Sequence, residues 1–310
     1  MHQVPQFLQK QRLRPVVMNK PYVSRVARGK FSPRTGRYRV IKVPTRARAG
    51  LTPAAAAGTK QPSHIMLATM STSLHHRAIE HLGSRIVGGN LPAGHVMLAE
   101  QLEDELKVSR SVVREAVRVL QSLGLVETIK RVGIRVLPAS RWNPFDPLVI
   151  RWRLAGEGRG AQLRSLAELR AAVEPVAAEL AASNAPEALR EELLEVSRAL
   201  TAAGTAGDVK SFLDLDIRFH SLLLTGSGNE MFANLVGQVA ETLTGRTVHG
   251  LMPDRPSDSA MQLHMELAEA IHAGDPTGAR DASNRIMRQS ITEMEPSWRD
   301  QPRMFAQAQN

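Results

Sequence analysis

A carboxylate and an imidazole in the segment Asp216-Ile-Arg-Phe-His220 have the types and the spacing that suit metal binding. Residues four apart lie side by side on a helix, so Asp216 and His220 would face the same direction. Leu223 continues their line at helical spacing, which predicts that both polar groups point inward. His264 is the polar member of a second apolar stripe. One Asp with two His suits a divalent metal ion, but hydrogen-bonded core histidines or an internal Asp–His ion pair are equally compatible with this spacing.

An arginine and a glutamate add to this inward polar group. In residues 162–182, Arg170 occupies a line of otherwise apolar positions at helical spacing, and Glu174 follows one turn later. A buried carboxylate needs a partner that offsets its lost hydration. Residues 161–294 are helical almost throughout, which predicts an all-α bundle with a polar site inside it. The predicted helix breaks are residues 184–186, 204–207, 226–228, 251–257 and 274–276.

A second group of residues suits nucleic-acid binding. Arg110, Arg114 and Arg118 repeat every four residues within residues 109–124, a segment that also carries an apolar stripe and ends at a glycine. Ser109 is a suitable N-cap for this helix. Three cations on one side of a helix can contact DNA, whereas the simpler interpretation of such a charged run is a solvated face.

The flanking segments favour DNA binding over the solvated face. Two short β-rich segments, residues 125–129 and 134–137, follow the helix and are separated by Lys-Arg-Val-Gly at 130–133. Residues 96–108 and 75–88 have apolar positions at helical spacing and suit supporting helices. A recognition helix followed by a β-wing is typical of a winged helix-turn-helix, which reads the major groove.

Composition limits the class of protein. The chain has 310 residues, 43% of them hydrophobic, which is enough for two domains with cores of their own. It has no cysteine, so a disulfide framework and a thiolate metal site are excluded, and a cytoplasmic location is compatible. No apolar run approaches the roughly 18 residues of a membrane span, and the early segment lacks the apolar core of a secretion signal.

The net charge of +10 comes from one end of the chain. Residues 1–70 contain 14 Lys or Arg and no Asp or Glu, so the remainder has 26 basic and 30 acidic side chains, a net charge of −4. The same stretch has seven prolines and no sustained helical or strand period, which predicts a largely disordered extension. We expect it to be dispensable or to precede a translation start near Met66 or Met70; a non-specific DNA-binding arm is the alternative.

The predicted DNA-binding segment resembles a known family. Val108-Ser-Arg-Ser-Val-Val-Arg-Glu-Ala-Val-Arg-Val-Leu-Gln-Ser-Leu-Gly-Leu-Val126 and Arg131-Val-Gly-Ile-Arg-Val136 are similar to the DNA-binding domain of GntR-family bacterial transcription regulators. Glu100 stands where many members have an arginine, so one contact is expected to be absent. The resemblance implies base or phosphate contacts from Arg110 and Arg114. The full set of expected DNA-binding residues is Ser109, Arg110, Arg114, Arg118 and Gly133, with Ser109 on a phosphate and Gly133 entering the minor groove at the wing tip.

The C-terminal region resembles the FCD effector domain of the FadR subfamily within that family. The similarity rests on residues 168–175, 216–229 and 264–275. It implies that Asp216, His220 and His264 bind a divalent metal ion, which we expect to be zinc, nickel or manganese. Many members add a histidine in the last helix, where this chain has Ile286. The expected site therefore has three protein ligands, and more coordination positions stay open.

A finer resemblance concerns the effector. Trp142-Asn-Pro-Phe-Asp146, Trp152 and residues 170–175 look closest to sugar-acid regulators of the subfamily, those sensing galactonate or gluconate. An aldonate offers a carboxylate and an α-hydroxyl to a metal, and Arg170 would clamp the carboxylate through two hydrogen bonds. The expected effector-binding residues are Arg170, Glu174 and Asn229, although Asn229 also suits a turn cap.

These observations predict a mainly α-helical, cytoplasmic homodimer that binds operator DNA and a small organic acid, acting as a metabolite-responsive repressor and not as an enzyme. One alternative is a constitutive DNA-binding dimer whose inward polar groups are only structural. The other is a metal-dependent enzyme, since two His and one carboxylate also describe non-haem iron oxygenases. The predicted domains are an extension (1–70), a winged helix-turn-helix (71–138), a linker with a short helix at 147–154 (139–160), an all-α effector and dimerisation domain (161–295) and a tail (296–310).

Overall fold

The computed structural model describes residues 64–251 and 256–303, with side chains from residue 74 onward, and this part is mainly α-helical with one small sheet, as predicted. Its first half contains α1 (His64–Val87), β1 (Val96–Met97), α2 (Ala99–Leu106), α3 (Arg110–Ser122), β2 (Val126–Ile129) and β3 (Gly133–Val136). A 3-10 turn (Ala139–Arg141) leads to α4 (Pro147–Ala155), α5 (Arg159–Asn184), α6 (Glu187–Ala206), α7 (Val209–Gly226), α8 (Glu230–Ala233), α9 (Val236–Val248), α10 (Asp258–Ala273), α11 (Pro276–Met294) and a last 3-10 turn (Glu295–Ser297). None of the helices within the described ranges has the length and hydropathy of a membrane span.

The first domain is a winged helix-turn-helix. Its antiparallel sheet has the strand order β1-β3-β2, and β2 pairs with β3 from Val126 opposite Val136 to Ile129 opposite Gly133. The predicted wing is therefore present. Its core is formed by α1, α2, α3 and the inner face of the sheet, and Leu82 and Leu120 are fully buried there. Burial of each such side chain stabilises the domain by roughly 1.5–3 kcal/mol.

Helix α3 forms because its apolar residues recur at helical spacing and lie against this core. Ser109 takes the N-cap position, but its hydroxyl contacts Ser111 Oγ at 2.9 Å and does not cap the backbone, so the predicted side-chain cap is wrong. The predicted glycine stop is observed at Gly124, where φ is +75° and a Cβ would lie 2.2 Å from the Arg141 carbonyl oxygen. The buried residues of α3 are Val112, Val113, Ala116, Val117 and Leu120.

The second domain is the predicted helical bundle. The breaks predicted at 184–186, 204–207, 226–228 and 274–276 are observed, whereas the break between α8 and α9 at 234–235 was not predicted. Helix α5 packs against α7, α9, α10 and α11, while α6 packs against α7 and α10. The centre of the bundle is filled by fully buried side chains such as Phe219 and Leu267. This arrangement brings α5, α7, α9 and α10 together around a common polar cluster.

Helix α4 belongs to both domains, whereas we predicted that it packs on one of them. It begins at the predicted residue, where the Asp146 carboxylate accepts a hydrogen bond from Leu148 N at 2.9 Å. One side of α4 places Trp152 in the core of the winged domain. The other side places Leu154 in a cluster with α5 and Trp298. The segment predicted as a linker is therefore a packed element.

The predicted end segments also need correction. Helix α1 begins at His64, so residues 64–70 of the predicted extension are helical, and residues 1–63 lie outside the described residues. Trp298 lies in the predicted tail, but it is only 5% exposed and packs against α4 and α5. Arg303 donates to both carboxylate oxygens of Glu168 at 2.9 and 2.7 Å. The start of the tail is thus part of the bundle, and residues 304–310 lie outside the described part.

Candidate metal centre and nucleic-acid interface

The α3 arginines form an exposed cationic face. The side chains of Arg114 and Arg118 are 65% and 62% exposed, and Arg110 is also exposed. Glu115 lies between them, with Oε1 2.8 Å from Arg118 Nη1 and 3.6 Å from Arg114 Nε. These ion pairs are solvent-screened and weak, so the arginines can exchange Glu115 for a phosphate or a base edge at low cost.

The wing tip consists of residues 130–132, and Gly133 follows it as the first residue of β3. Gly133 has φ +131°, and a Cβ there would lie 2.6 Å from the Met97 carbonyl oxygen. Gly133 therefore lies one residue after the turn, where the close approach of β1 leaves no room for a Cβ, and its expected contact with the minor groove stays a prediction. Lys130 and Arg131 are the exposed cations of the turn. They are not among the expected DNA-binding residues, although two basic residues at a predicted hairpin turn make them candidates.

Two helices bring Asp216, His220 and His264 together, as the stripes on α7 and α10 predict. Their exposed fractions are 2%, 2% and 6%. His220 Nε2 lies 3.3 Å from Asp216 Oδ1, and His264 Nε2 lies 3.4 Å from the same oxygen. One ligand atom from each residue lies within 4.8 Å of the others. Phe219 packs edge-on against both imidazole rings, at centroid distances of 5.6 and 5.0 Å, and restricts their rotation.

Each imidazole has an oxygen beside its other ring nitrogen. His264 Nδ1 lies 2.7 Å from the Ala260 carbonyl oxygen, which can only accept, so Nδ1 carries the proton and a neutral ring would present a lone pair at Nε2. His220 Nδ1 lies 2.7 Å from Glu174 Oε2 but without hydrogen-bond alignment, and its Nε2 lies 3.3 Å from Arg170 Nη2. A histidine that ligates a metal through one nitrogen is typically oriented by a carbonyl or carboxylate at the other. His264 has this arrangement, and His220 has it in distance but not in alignment.

Arg170 and Glu174 of α5 contact His220, and neither lines the cavity beside the three candidate metal ligands. Arg170 Nε donates to Glu174 Oε1 at 2.5 Å and Nη2 donates to Oε2 at 3.3 Å, so the guanidinium already has a carboxylate partner. Burial raises the pKa of Glu174, but Arg170 and His220 outweigh it and lower the pKa to about 2. Both residues contact His220, and the expectation that they bind the effector directly stays a prediction.

Arg246 of α9 is the residue that sequence reasoning missed. It is buried, and its Nη2 donates to Asp216 Oδ2 at 3.1 Å while Nη1 donates to Ser290 Oγ at 3.2 Å. Burial raises the pKa of Asp216, yet the contacts with His220 and His264 and the charge of Arg246 hold it well below its ordinary value. Val239 and Leu243 are buried, and Arg246 continues their line at helical spacing, which was the available signal.

A cavity opens beside the cluster and is lined by side chains of α7, α9, α10 and α11. Ile286 lies in its wall at 7% exposure, at the position where many family members add a histidine. Asn229 does not line this cavity and caps α8 by accepting a hydrogen bond from Met231 N at 2.9 Å, which agrees with its predicted capping role; its role in effector binding stays a prediction. The polar residues that line the cavity are Asp216, Arg246, Ser257, His264, Gln289, Ser290 and Glu293.

The residues present fit a divalent cation. Asp216 Oδ1 and His264 Nε2 are buried, and neither has a hydrogen-bond partner within the described ranges. Buried polar atoms of this kind usually have a partner, and a carboxylate oxygen and an imidazole nitrogen that converge are metal-ligand types. Burial lowers the pKa of His220, but Glu174 and Asp216 oppose Arg170 and the pKa is raised overall, so a metal ion competes with a proton there.

The chain matches two protein families over the two domains. Residues 74–136 match the bacterial regulatory proteins of the gntR family, and residues 165–289 match the FCD domain. The HTH-type transcriptional regulator Mce2R of Mycobacterium tuberculosis (strain CDC 1551 / Oshkosh) is 32% identical over 229 residues, covering 72% of this chain and 92% of the relative. The galactonate operon transcriptional repressor of Escherichia coli (strain K12) is 27% identical over 230 residues, covering 73% of this chain and 98% of the relative.

A third relative is the probable D-xylose utilization operon transcriptional repressor of Paenarthrobacter nicotinovorans, which is 26% identical over 214 residues, or 68% of this chain and 84% of the relative. The matches thus cover both domains in the order that the structure has them. The chain belongs to the GntR family of bacterial transcription regulators, with an FCD domain behind its winged helix-turn-helix.

Proposed function

We propose that this regulator is a repressor that binds operator DNA as a homodimer and is released by a small organic acid bound at a metal centre in the FCD domain. The observation that carries the proposal is the convergence of Asp216, His220 and His264 in the domain that follows a DNA-binding domain. Arg110, Arg114 and Arg118 would contact the operator, with Ser109, Lys130 and Arg131 at its edges.

The charges of the cluster favour an anionic effector. With neutral imidazoles, Arg170 balances Glu174 and Arg246 balances Asp216. A divalent ion would add two positive charges to these balanced pairs; Glu293 at the cavity could offset one, and an anionic effector would offset the other. When bound, the ion supplies coordination positions for a carboxylate and a neighbouring hydroxyl oxygen.

Residues of this chain suit the rest of a sugar acid. Arg246 faces the cavity and replaces Arg170 as the proposed carboxylate partner. Ser257, Gln289 and Ser290 line the same cavity and can donate to or accept from hydroxyl groups. Likeness to a galactonate operon repressor supports galactonate or gluconate as the first effectors to test.

A second function is favoured by the ion pairs themselves. Because two arginines neutralise both carboxylates, the cluster is electrically satisfied without a metal ion. The FCD domain would then serve only dimerisation, and the protein would bind DNA constitutively. A metal-dependent enzyme is set aside, since the matching families and relatives are transcriptional regulators.

A thermal-shift screen separates these two functions. The full chain is stripped with a chelator and then measured with Zn²⁺, Ni²⁺ or Mn²⁺, alone and with galactonate, gluconate or dicarboxylates. A ligand at 100 times its Kd should stabilise the folded state by about 2.7 kcal/mol. The shift should disappear in His264→Ala and persist in His272→Ala, an exposed histidine on the same helix. The same small shift in both variants would favour the constitutive dimer.

A further inference from the structure

Helix α9 contacts the candidate metal centre on one side and helix α4 on the other. Arg246 reaches Asp216, and the preceding residue, Gly245, lies against α4. A Cβ on Gly245 would lie 2.6 Å from Leu154 Cδ1, and one on Gly237 would lie 3.0 Å from Pro147 Cγ. The two helices are therefore packed backbone against side chain, so α9 cannot move toward α4 without displacing it.

Helix α4 makes an equally close contact with α1 of the DNA-binding domain. The Trp152 ring lies over Gly83, where a Cβ would come within 2.2 Å of it. Trp152 Nε1 donates to Glu80 Oε2 at 2.8 Å. Glu80 and Gly83 lie one turn apart on α1, the helix that packs against α3. Trp152 is 4% exposed, so this contact is part of the core.

One guanidinium on α4 joins α1 to α9. Arg151 Nη2 donates to Glu80 Oε1 at 2.5 Å, and its Nη1 lies 3.7 Å from Glu241 Oε1 on α9. Glu241 lies five residues before Arg246 on the same helix. A displacement of α9 would therefore change how Arg151 is shared between the two carboxylates.

We propose that α4 couples the metal centre to the DNA-binding domain, with Arg151 and Trp152 as the residues that transmit a shift of α9 to α1. This inference rests on the proposed function, because it needs an occupied centre. With a divalent ion held by Asp216, the Arg246 guanidinium would no longer neutralise the carboxylate alone and would be repelled, which would release α9 from α7. Packed contacts then carry the displacement to α4 and on to α1, biasing the position of α3.

Hydrogen exchange of the full chain, measured with and without Zn²⁺ alone as the probe, tests this proposal. Exchange in residues 209–226 and 258–273 reports on occupancy of the centre. Exchange in residues 147–155 and 79–87 reports on transmission to α4 and α1. In the wild type all four segments should change, those of α4 and α1 by about fivefold or more, the lower end of ordinary allosteric coupling.

The double variant Arg151→Gln, Trp152→Phe should keep the change at the centre and lose the change in α1. Its control is Arg218→Gln, Trp142→Phe, which removes an exposed arginine paired with Glu192 and an indole bond to the Leu137 carbonyl. The control should behave like the wild type. Arg151→Gln alone, at a side chain 43% exposed, should reduce the α1 change if the double variant does not fold.

The outcomes that overturn the proposal are distinct. A Zn²⁺ response at the centre with none in residues 79–87 of the wild type would refute the coupling and leave the proposed function intact. An α1 response that survives in the double variant would refute the roles assigned to Arg151 and Trp152. If the double variant does not fold, a full-size α1 response in Arg151→Gln would refute them. Absence of any Zn²⁺ response in residues 209–226 would refute the metal centre, and the coupling with it.

Discussion

Replacing Arg246 by Met tests whether a metal ion and this arginine share Asp216. Met has a similar length and no charge, so the change removes the cation while keeping most of the volume. The side chains of Arg246 and Asp216 are only 9% and 3% exposed, so the variant leaves a buried carboxylate without its 3.1 Å partner. Loss of one member of a buried ion pair costs about 3–5 kcal/mol. Without metal, the free energy of unfolding should fall by that amount.

Zn²⁺ should reverse much of this loss. The ion would neutralise Asp216 in place of the guanidinium, and it would no longer be repelled by a neighbouring positive charge. Removal of one nearby charge should raise the Zn²⁺ affinity by about tenfold or more. The stabilisation by Zn²⁺, measured as the shift of the unfolding midpoint, should therefore be larger in Arg246→Met than in the wild type.

The assay is urea unfolding of the full chain followed by circular dichroism, with either a chelator or Zn²⁺ present. Arg285→Met is the matched control, because Arg285 is 52% exposed and pairs with Glu266 at 2.6 Å. An exposed pair contributes about 0–1 kcal/mol, and its loss should not change the effect of Zn²⁺. Equal Zn²⁺ stabilisation of Arg246→Met and the wild type would refute the shared use of Asp216.

Three further predictions concern DNA contacts, ligand orientation and the extension. Arg110→Ala and Arg114→Ala should each weaken operator binding by about 1–3 kcal/mol in gel-shift titrations. Neither change should unfold the domain, since both side chains are exposed, and unchanged affinity would contradict the assignment of α3 as the recognition helix. Glu174→Gln should lower metal affinity by about 10–100-fold in calorimetric titrations, because the support of His220 is weakened, and wild-type affinity would contradict that role. Deletion of residues 1–69 should leave operator specificity intact and at most reduce the salt dependence of binding, so a truncated protein without sequence preference would refute the prediction.

Periodicity predicts most of this fold because most helices carry an apolar stripe and end at a recognisable break, although no glycine or proline marks the break between α8 and α9 at 234–235. Glycine stops, a three-residue wing turn and inward stripes are local properties that the sequence carries directly. Asp216, His220 and His264 were identifiable for the same reason, as polar members of apolar stripes. The contacts of α4 could not be predicted from the sequence in this way, because they depend on how the two domains pack against each other.

The ion-pair partners of the two buried arginines in the polar cluster could not be predicted from the sequence. Arg170 and Arg246 are both buried arginines on inward faces, and only the packing of α5 and α9 decides which faces the cavity. Arg170 is neutralised by Glu174 one turn along its own helix, whereas Arg246 crosses to Asp216 on another helix. Gly133 shows the same limit, because the Met97 carbonyl that leaves no room for a Cβ belongs to β1, which is distant in sequence.

Metal content per chain tests the central claim most directly. The full chain is stripped with a chelator, incubated with Zn²⁺ or Mn²⁺, desalted and subjected to elemental analysis beside His264→Ala. The Asp216, His220 and His264 arrangement predicts one retained ion per wild-type chain and a loss of that ion in the variant. A wild-type protein that stays metal-free after incubation, yet still releases DNA in response to a sugar acid, would contradict a metal-centred effector site.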